Sequence, residues 1–216
     1  MKRSFKETLF RVIILFIGLV IAHLGVTLFL QANLGSDPFN VLIQGLYAKV
    51  EAVEWLTHGR VHMGICFLII LVLLVVDRSY VKIGTLVCMF CGGPIIDVFN
   101  WILGPLFEGD INIAIKIAVN VLGCVILAYG MTIVIKSDAG TGPNDLVAVV
   151  ISDKIKKKFS IIRVIVDVCF AAVGFVLGGT LGIGTVICAF VVGPVAGVFM
   201  PFNEKLINKI VGKLMK

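Results

Sequence analysis

Charge is scarce in this sequence of 216 residues: 15% are Asp, Glu, Lys or Arg, and the mean hydropathy is +1.10. An ordinary soluble domain carries about 25% charged residues, so the composition excludes that class. The few charges sum to +6. In so apolar a chain we assign the basic excess to orientation in a membrane and to contact with anionic lipid, and not to nucleic acid.

Motifs of enzyme chemistry are also missing. The sequence has no Ser/His/Asp order typical of hydrolases, no Walker loop and no dinucleotide fingerprint. It has three histidines, and its six cysteines all lie in apolar segments. A zinc site needs four such ligands close together. We therefore predict no catalytic residue, no metal and no cofactor, and a protein that is not an enzyme.

Long apolar runs dominate the sequence instead. Runs of about 18 or more apolar residues predict membrane-spanning helices. The predicted spans cover residues 9–31, 61–76, 83–102, 111–136, 161–177 and 181–202. Two further helical segments, 38–50 and 143–155, are only about 20 Å long at 1.5 Å per residue, which is too short to cross a bilayer. The tail, 203–216, alternates lysines with apolar residues at helical spacing and predicts an amphipathic cytoplasmic surface helix.

A glycine-proline turn precedes each short helix. The first copy reads Leu34-Gly35-Ser36-Asp37-Pro38-Phe39-Asn40, and the second, 105 positions later, reads Ala139-Gly140-Thr141-Gly142-Pro143-Asn144-Asp145. Glycine permits a positive φ, and proline is favoured at the first position of a helix. Further along, 83–94 and 183–194 share seven of twelve residues. We interpret the chain as two repeats, 1–110 and 111–202, followed by the tail.

The distribution of basic residues predicts the topology. If the short helices are re-entrant, the N-terminus, the Asp77–Lys82 link, the Lys154–Lys158 cluster and the tail all lie on the cytoplasmic side, as the positive-inside rule requires. Each repeat then has three spans, and an odd number inverts the second repeat relative to the first. The sequence thus predicts an all-α polytopic protein of two inverted repeats, with both termini in the cytoplasm.

The two turns are the predicted substrate site. Inverted repeats with broken helices are typical of transporters, and their binding sites lie near the bilayer midplane. Helix N-termini carry unpaired N–H groups and a partial positive charge, which favours an anionic or polar solute. The predicted binding residues are Gly35, Ser36, Asp37, Pro38, Asn40, Gly140, Thr141, Gly142, Pro143, Asn144 and Asp145.

Ionisable residues within spans are functional candidates because their burial is costly. We consider His23, Asp97 and Asp167 for proton coupling. Structural roles stay open for several of them: Asp145 as a helix cap, Asp167 as the partner of Arg163 one helical turn away, and His23 as a hydrogen-bonded packing residue.

The first turn resembles the YczE/YyaS/YitT group of bacterial integral membrane proteins, and its YczE-like branch in particular. That branch has the pattern G-x-G-P-W-D-V-L-x-x-G-L, which stands here at 35–46. The chain departs from it at three positions, with Asp37 for glycine, Phe39 for tryptophan and Asn40 for aspartate. The later G-T element stands at Gly84-Thr85. The resemblance implies a bacterial inner-membrane protein and says little about activity.

Three functions follow from these patterns. The first is a small-solute transporter with a midplane site between the turns, coupled to protons by residues such as Asp145 or His23. The second is a substrate-binding membrane subunit of a larger transporter. The third is a membrane scaffold or regulator without a transport cycle. The expected partners are the lipid bilayer and a small-molecule substrate, with a homodimer as a reasonable assembly.

Overall fold

The computed structural model describes residues 4–214 apart from 36, 51–55 and 57, and only the backbone of 58–60 and 97. Every regular element in these residues is helical. The α-helices are α1 (Phe5–Ala32), α2 (Pro38–Val50), α3 (His58–Asp77), α4 (Ile83–Leu103), α5 (Ile113–Ser137), α6 (Pro143–Ile155), α7 (Phe159–Val176) and α8 (Ile183–Leu214). Short 3₁₀ turns follow α3 and α4.

Six of these helices, all except α2 and α6, are long and apolar enough to cross a membrane. Their outer faces carry large apolar side chains, such as Val75 at 89% exposure and Trp101 at 81%. A soluble protein rarely exposes contiguous apolar surface of this kind. The prediction of an all-helical protein with six apolar spans is therefore confirmed.

The centre of the fold is the crossing of α1 and α5. A methyl group built on Gly25 would lie 2.3 Å from the backbone N of Leu127, and one built on Gly130 would lie 2.3 Å from that of Ala22. Gly18 faces Ile133 at the other end of the contact. Along the contact, residue numbers rise on α1 as they fall on α5, so the two helices are antiparallel. Glycine at the crossing lets the backbones touch, as small residues do between membrane helices.

The other helices pack around this pair. α4 lies against α1, and α8 lies against α5. α7 fits between α8 and the two short helices, while α3 contacts both α2 and α6. The largest apolar cluster joins α1, α5, α6, α7 and α8 around the buried residues Phe29, Met131 and Val192.

The C-terminal tail is helical and continuous with the span before it. α8 continues through Pro201 to Leu214, past the division placed after residue 202 in the sequence analysis. Asn203 is fully buried and donates to Thr132 at 2.6 Å. Ile207 and Val211 are buried in a cluster with Ile133. One face of the tail packs onto the bundle, and that packing keeps it in register with the span before it.

Candidate functional site

The two glycine-proline turns have the same backbone geometry. The residues that follow α1 and α5, Asn33 and Asp138, are both left-handed, with φ of 50° and 58°. Gly35 and Gly140 follow with φ of 128° and 140°, values that glycine adopts without a steric penalty.

Each turn is hydrogen-bonded to the last span of the other repeat. The carbonyl of Leu34 accepts from Gly184 N at 2.8 Å, and the carbonyl of Ala139 accepts from Gly84 N at 2.9 Å. These four residues are matched pairs in the sequence repeat, at offsets of 105 and 100. The turns therefore join the two halves of the chain in a reciprocal way.

The turns do not come together to form one binding pocket. A methyl group built on Gly184 would lie 2.7 Å from Asn120 Nδ2 and 3.0 Å from Leu34 Cβ, so the first turn lies beside Asn120 near the start of α5. The second turn follows the end of α5, at Ser137. Asn120 and Ser137 are 17 residues apart on α5, which corresponds to roughly 26 Å along the helix axis. The eleven predicted binding residues are therefore divided between two places, and a small ligand does not touch the backbone of both.

A chain of charged residues, buried at Arg163 and Asp167 and partly buried at Asp37 and Asp145, links the starts of the short helices. Arg163, on α7, donates from Nε to Asp167 Oδ2 at 2.8 Å and from a terminal nitrogen to Asp145 Oδ1. Asp145 is in the first turn of α6, and Asp37, at the start of α2, is close enough to Asp167 for their charges to interact. We call Asp37, Asp145, Arg163 and Asp167 the charge cluster. The predicted Arg163–Asp167 pair is confirmed.

Burial makes this cluster energetically significant. Arg163 is 7% exposed and Asp167 is 1% exposed. A buried charge is costly unless it is paired and hydrogen-bonded. The sequence analysis treated Arg163 only as the partner of Asp167, although an arginine inside an apolar segment was itself a signal of a functional site.

Asp37 supplies the carboxylate that the YczE-like pattern has at the position of Asn40. The side chain of Asp37 caps α2, since Asn40 N donates to Oδ1 at 3.1 Å and Asn40 Nδ2 donates to Oδ2 at 2.7 Å. The YczE-like pattern instead has glycine at 37 and an acid at 40. The two departures thus move one carboxylate from the third helical position to the cap, and each short helix keeps an acid at its N-terminus.

This exchange predicts a double-mutant cycle. Asp37→Gly removes the cap and leaves the Asn40 amide unpaired, which should cost about 1 kcal/mol. Asn40→Asp alone sets two carboxylates against each other and should also destabilise. The double variant regains the family arrangement and should be near the wild type, as measured by thermal unfolding in detergent. A double variant whose loss equals the sum of the single losses would contradict the compensation.

The remaining predicted residues have more local roles. His23 Nδ1 lies 2.8 Å from the carbonyl of Leu19, and its ring packs against Gly92. His23 is also close enough to Asp145 for charge interaction, so both of its proposed roles stay open. Ser36 and the side chain of Asp97 are outside the described residues. Thr141 is 3% exposed, and its hydroxyl has no hydrogen-bond partner within the described part of the chain.

A cavity of about 710 Å³ opens beside the second turn. Gly140, Thr141 and Leu146 line its inner part, and Ser79 and Lys82 line the wall opposite α6. Its other charged residues include the ion pair Lys136–Glu204, with nitrogen and oxygen 2.8 Å apart. This volume is in the range of small-molecule sites.

The equivalent region beside the first turn is closed. Methyl groups built on Gly174 and Gly179 would lie 2.4 Å from Leu42 N and 2.2 Å from Val41 O, so α2 touches the end of α7 by its backbone. Gly179 matches Ser79, and Val41 matches Leu146, at the offsets of the repeat. Val41 and Gly179 are thus in contact, whereas their counterparts, Leu146 and Ser79, line the open cavity.

The six apolar helices and the charges buried among them define a multi-pass membrane protein. The chain belongs to a family of unknown function, DUF6198, whose model matches residues 9–201. No solved structure matches the chain.

Three proteins similar to the chain come from bacteria. It is 30% identical to the uncharacterized membrane protein YczE of Bacillus subtilis, over 96% of this chain and 94% of YczE. It is 26% identical to the uncharacterized protein YyaS of the same organism, over 88% and 92% of the two chains. An uncharacterized protein of Haemophilus influenzae is 25% identical, over 89% and 84%. The resemblance at the first turn is thereby confirmed across nearly the whole chain.

Proposed function

We propose that this protein is a small-solute transporter of the bacterial cytoplasmic membrane, built from two inverted repeats, with its binding site at the charge cluster. The observation that carries the proposal is the Asp145–Arg163–Asp167 chain, held inside the apolar bundle between the starts of two short helices. Charged residues in such places are expensive and typically serve ion or substrate pathways.

The inversion of the repeats has independent support. α1 and α5 are matched in the sequence repeat and pack antiparallel through matched glycines, Gly25 and Gly130. The turn-to-span hydrogen bonds are reciprocal as well. Antiparallel packing of equivalent helices is the arrangement expected of inverted repeats.

The difference between the two turn regions, one beside an open cavity and the other closed, supports an alternating-access mechanism. With the basic clusters in the cytoplasm, the cavity beside Thr141 opens to the cytoplasm, and the closed contact between Val41 and Gly179 faces the outside. In a fold of inverted repeats, exchanging the two arrangements would close the inner cavity and open an outer one. The charge cluster lies between the two and would be exposed to each side in turn.

A transport assay tests this function. Purified protein in liposomes is given a mixture of amino acids, amines, organic acids and sugars, and the liposome contents are measured by mass spectrometry. We expect uptake of at least one class, reduced about tenfold or more in Asp145→Asn because Arg163 loses a charged partner. Asp110→Asn, in the exposed link before α5, is the matched control and should transport normally.

The alternatives predict different results. If no solute enters while the protein stays folded and monodisperse, the transporter proposal fails and a scaffold or regulator is favoured. If solutes bind to the purified protein but do not cross the membrane, a binding subunit of a larger transporter is favoured.

A further inference from the structure

The charges of the cluster do not balance. It contains three carboxylates and one guanidinium, that of Arg163. Each helix N-terminus contributes about half a positive charge, and the cluster has two of them, at α2 and α6. About one negative charge is left without compensation.

The uncompensated charge is located at Asp167. Asp37 accepts two hydrogen bonds from Asn40, and Asp145 accepts from both Asn144 and Arg163. Asp167 accepts from Arg163 through Oδ2, but its Oδ1 has no partner among the residues that the structure describes. At 1% exposure this oxygen has no access to bulk water either. A buried carboxylate oxygen without a donor is costly, and a ligand with a donor would relieve that cost.

Four basic residues outside the cluster pair with acids outside it. Arg11 pairs with Glu7, Lys82 with Asp138, Lys136 with Glu204 and Lys154 with Asp77. The charge interaction of His23 is with Asp145, so we expect the compensating cation at Asp167 to come from outside the protein.

The chemistry of the cluster excludes two other kinds of ligand. An anion would face three carboxylates, and the N-termini that would attract it already have an acid of their own at α2 and α6. A metal ion needs several ligands converging on one point, and no group of three His, Cys, Asp or Glu side chains among the described residues is placed to hold one.

We propose that the ligand of the charge cluster is a solute with a single ammonium group, which donates to Asp167 Oδ1. This inference rests on the proposed function in using the same site, and it names the class of substrate. The turns alone predicted an anionic or polar solute. A cationic one is proposed instead because the positive potential at the N-termini of α2 and α6 is already compensated by Asp37 and Asp145.

Thermal unfolding of the purified protein in detergent tests the inference. The probes are straight-chain monoamines of two to six carbons, together with ethanolamine, its neutral analogue ethylene glycol, and acetate, each compared with NaCl at equal ionic strength. A ligand that binds the folded state raises the unfolding temperature. We expect some of the amines to raise it and the neutral and anionic probes not to.

Asp167→Asn should weaken amine binding by roughly tenfold to a hundredfold, the usual effect of losing a charged hydrogen-bond partner. Asp110→Asn should bind amines as the wild type does. The probes applied to the wild-type protein are sufficient to distinguish an amine from a neutral solute or an anion. The inference can therefore be tested even if Asp167→Asn does not fold.

Three results would overturn the inference: amines that stabilise no more than NaCl, amine binding that survives in Asp167→Asn, or stabilisation by acid alone, which would mean that a proton takes the charge. Failure of this inference is distinct from failure of the transporter proposal. Amine binding without uptake into liposomes would refute only the transporter proposal. Uptake of anions without amine binding would refute only the proposal that the ligand is an amine.

Discussion

Arg163→Met is expected to lose most of its folded protein. Arg163 is buried and bonded to two acids, the buried Asp167 and the partly buried Asp145. Removing one partner of a buried ion pair leaves uncompensated charge and costs about 3–5 kcal/mol, which is comparable to the whole stability of many proteins. The measurement is the yield of monodisperse protein by size-exclusion chromatography, with its thermal unfolding.

A triple variant separates charge from packing. Arg163→Met with Asp145→Asn and Asp167→Asn removes all three charges, and replacing a whole buried ion network is often close to neutral. We expect it to fold better than Arg163→Met alone and to have no transport. Arg78→Met, on an exposed arginine after α3, controls for the loss of a positive charge. Wild-type stability of Arg163→Met would show that the two acids do not need the guanidinium.

The second large effect is expected at the crossing of α1 and α5. A methyl group on Gly25 or Gly130 would lie 2.3 Å from a backbone nitrogen of the other helix. A backbone cannot yield as a side chain does, so each Gly→Ala change must push the helices apart. Overpacking of this kind typically costs about 1–3 kcal/mol. We expect each variant to unfold at lower SDS concentration than the wild type.

Gly64→Ala is the matched control. Gly64 is also in a membrane helix, but a methyl group there has no atom within 4 Å among the described residues. Alanine is the better helix former by about 1 kcal/mol, so this variant should be unchanged or more stable. If Gly25→Ala unfolds at the same SDS concentration as Gly64→Ala, the close crossing of α1 and α5 does not stabilise the fold as proposed.

Much of the fold was predictable from the sequence. Long apolar runs define membrane helices because the bilayer thickness fixes their length. The proline at the start of each short helix was also informative, since proline is favoured at the first position of a helix. The continuity of α8 past residue 202 was not evident from the sequence, because the change in composition there resembles a boundary. Its buried face becomes visible only when α5 lies beside it.

The candidate site was predictable only in part. Asp145 and Asp167 were identified because acids in apolar surroundings are rare and costly, and Asp37 was identified as a residue of the first turn. Their grouping depended on Arg163, which reaches from α7 to the start of α6 across a separation of 18 residues. Sequence spacing carries no information about such a contact, and nothing in the pattern showed that Asp37 caps its own helix.

By itself, the sequence determined that this is an all-helical membrane protein in which a glycine-proline turn occurs twice, because helix length, hydropathy and turn motifs are local properties of the chain. Only the tertiary structure decided that the turns lie far apart and that a chain of charges on α7 connects the short helices. It also decided that one half is closed by glycine contacts while the other is open. These features depend on which backbones approach each other, and that is set by packing over the whole bundle.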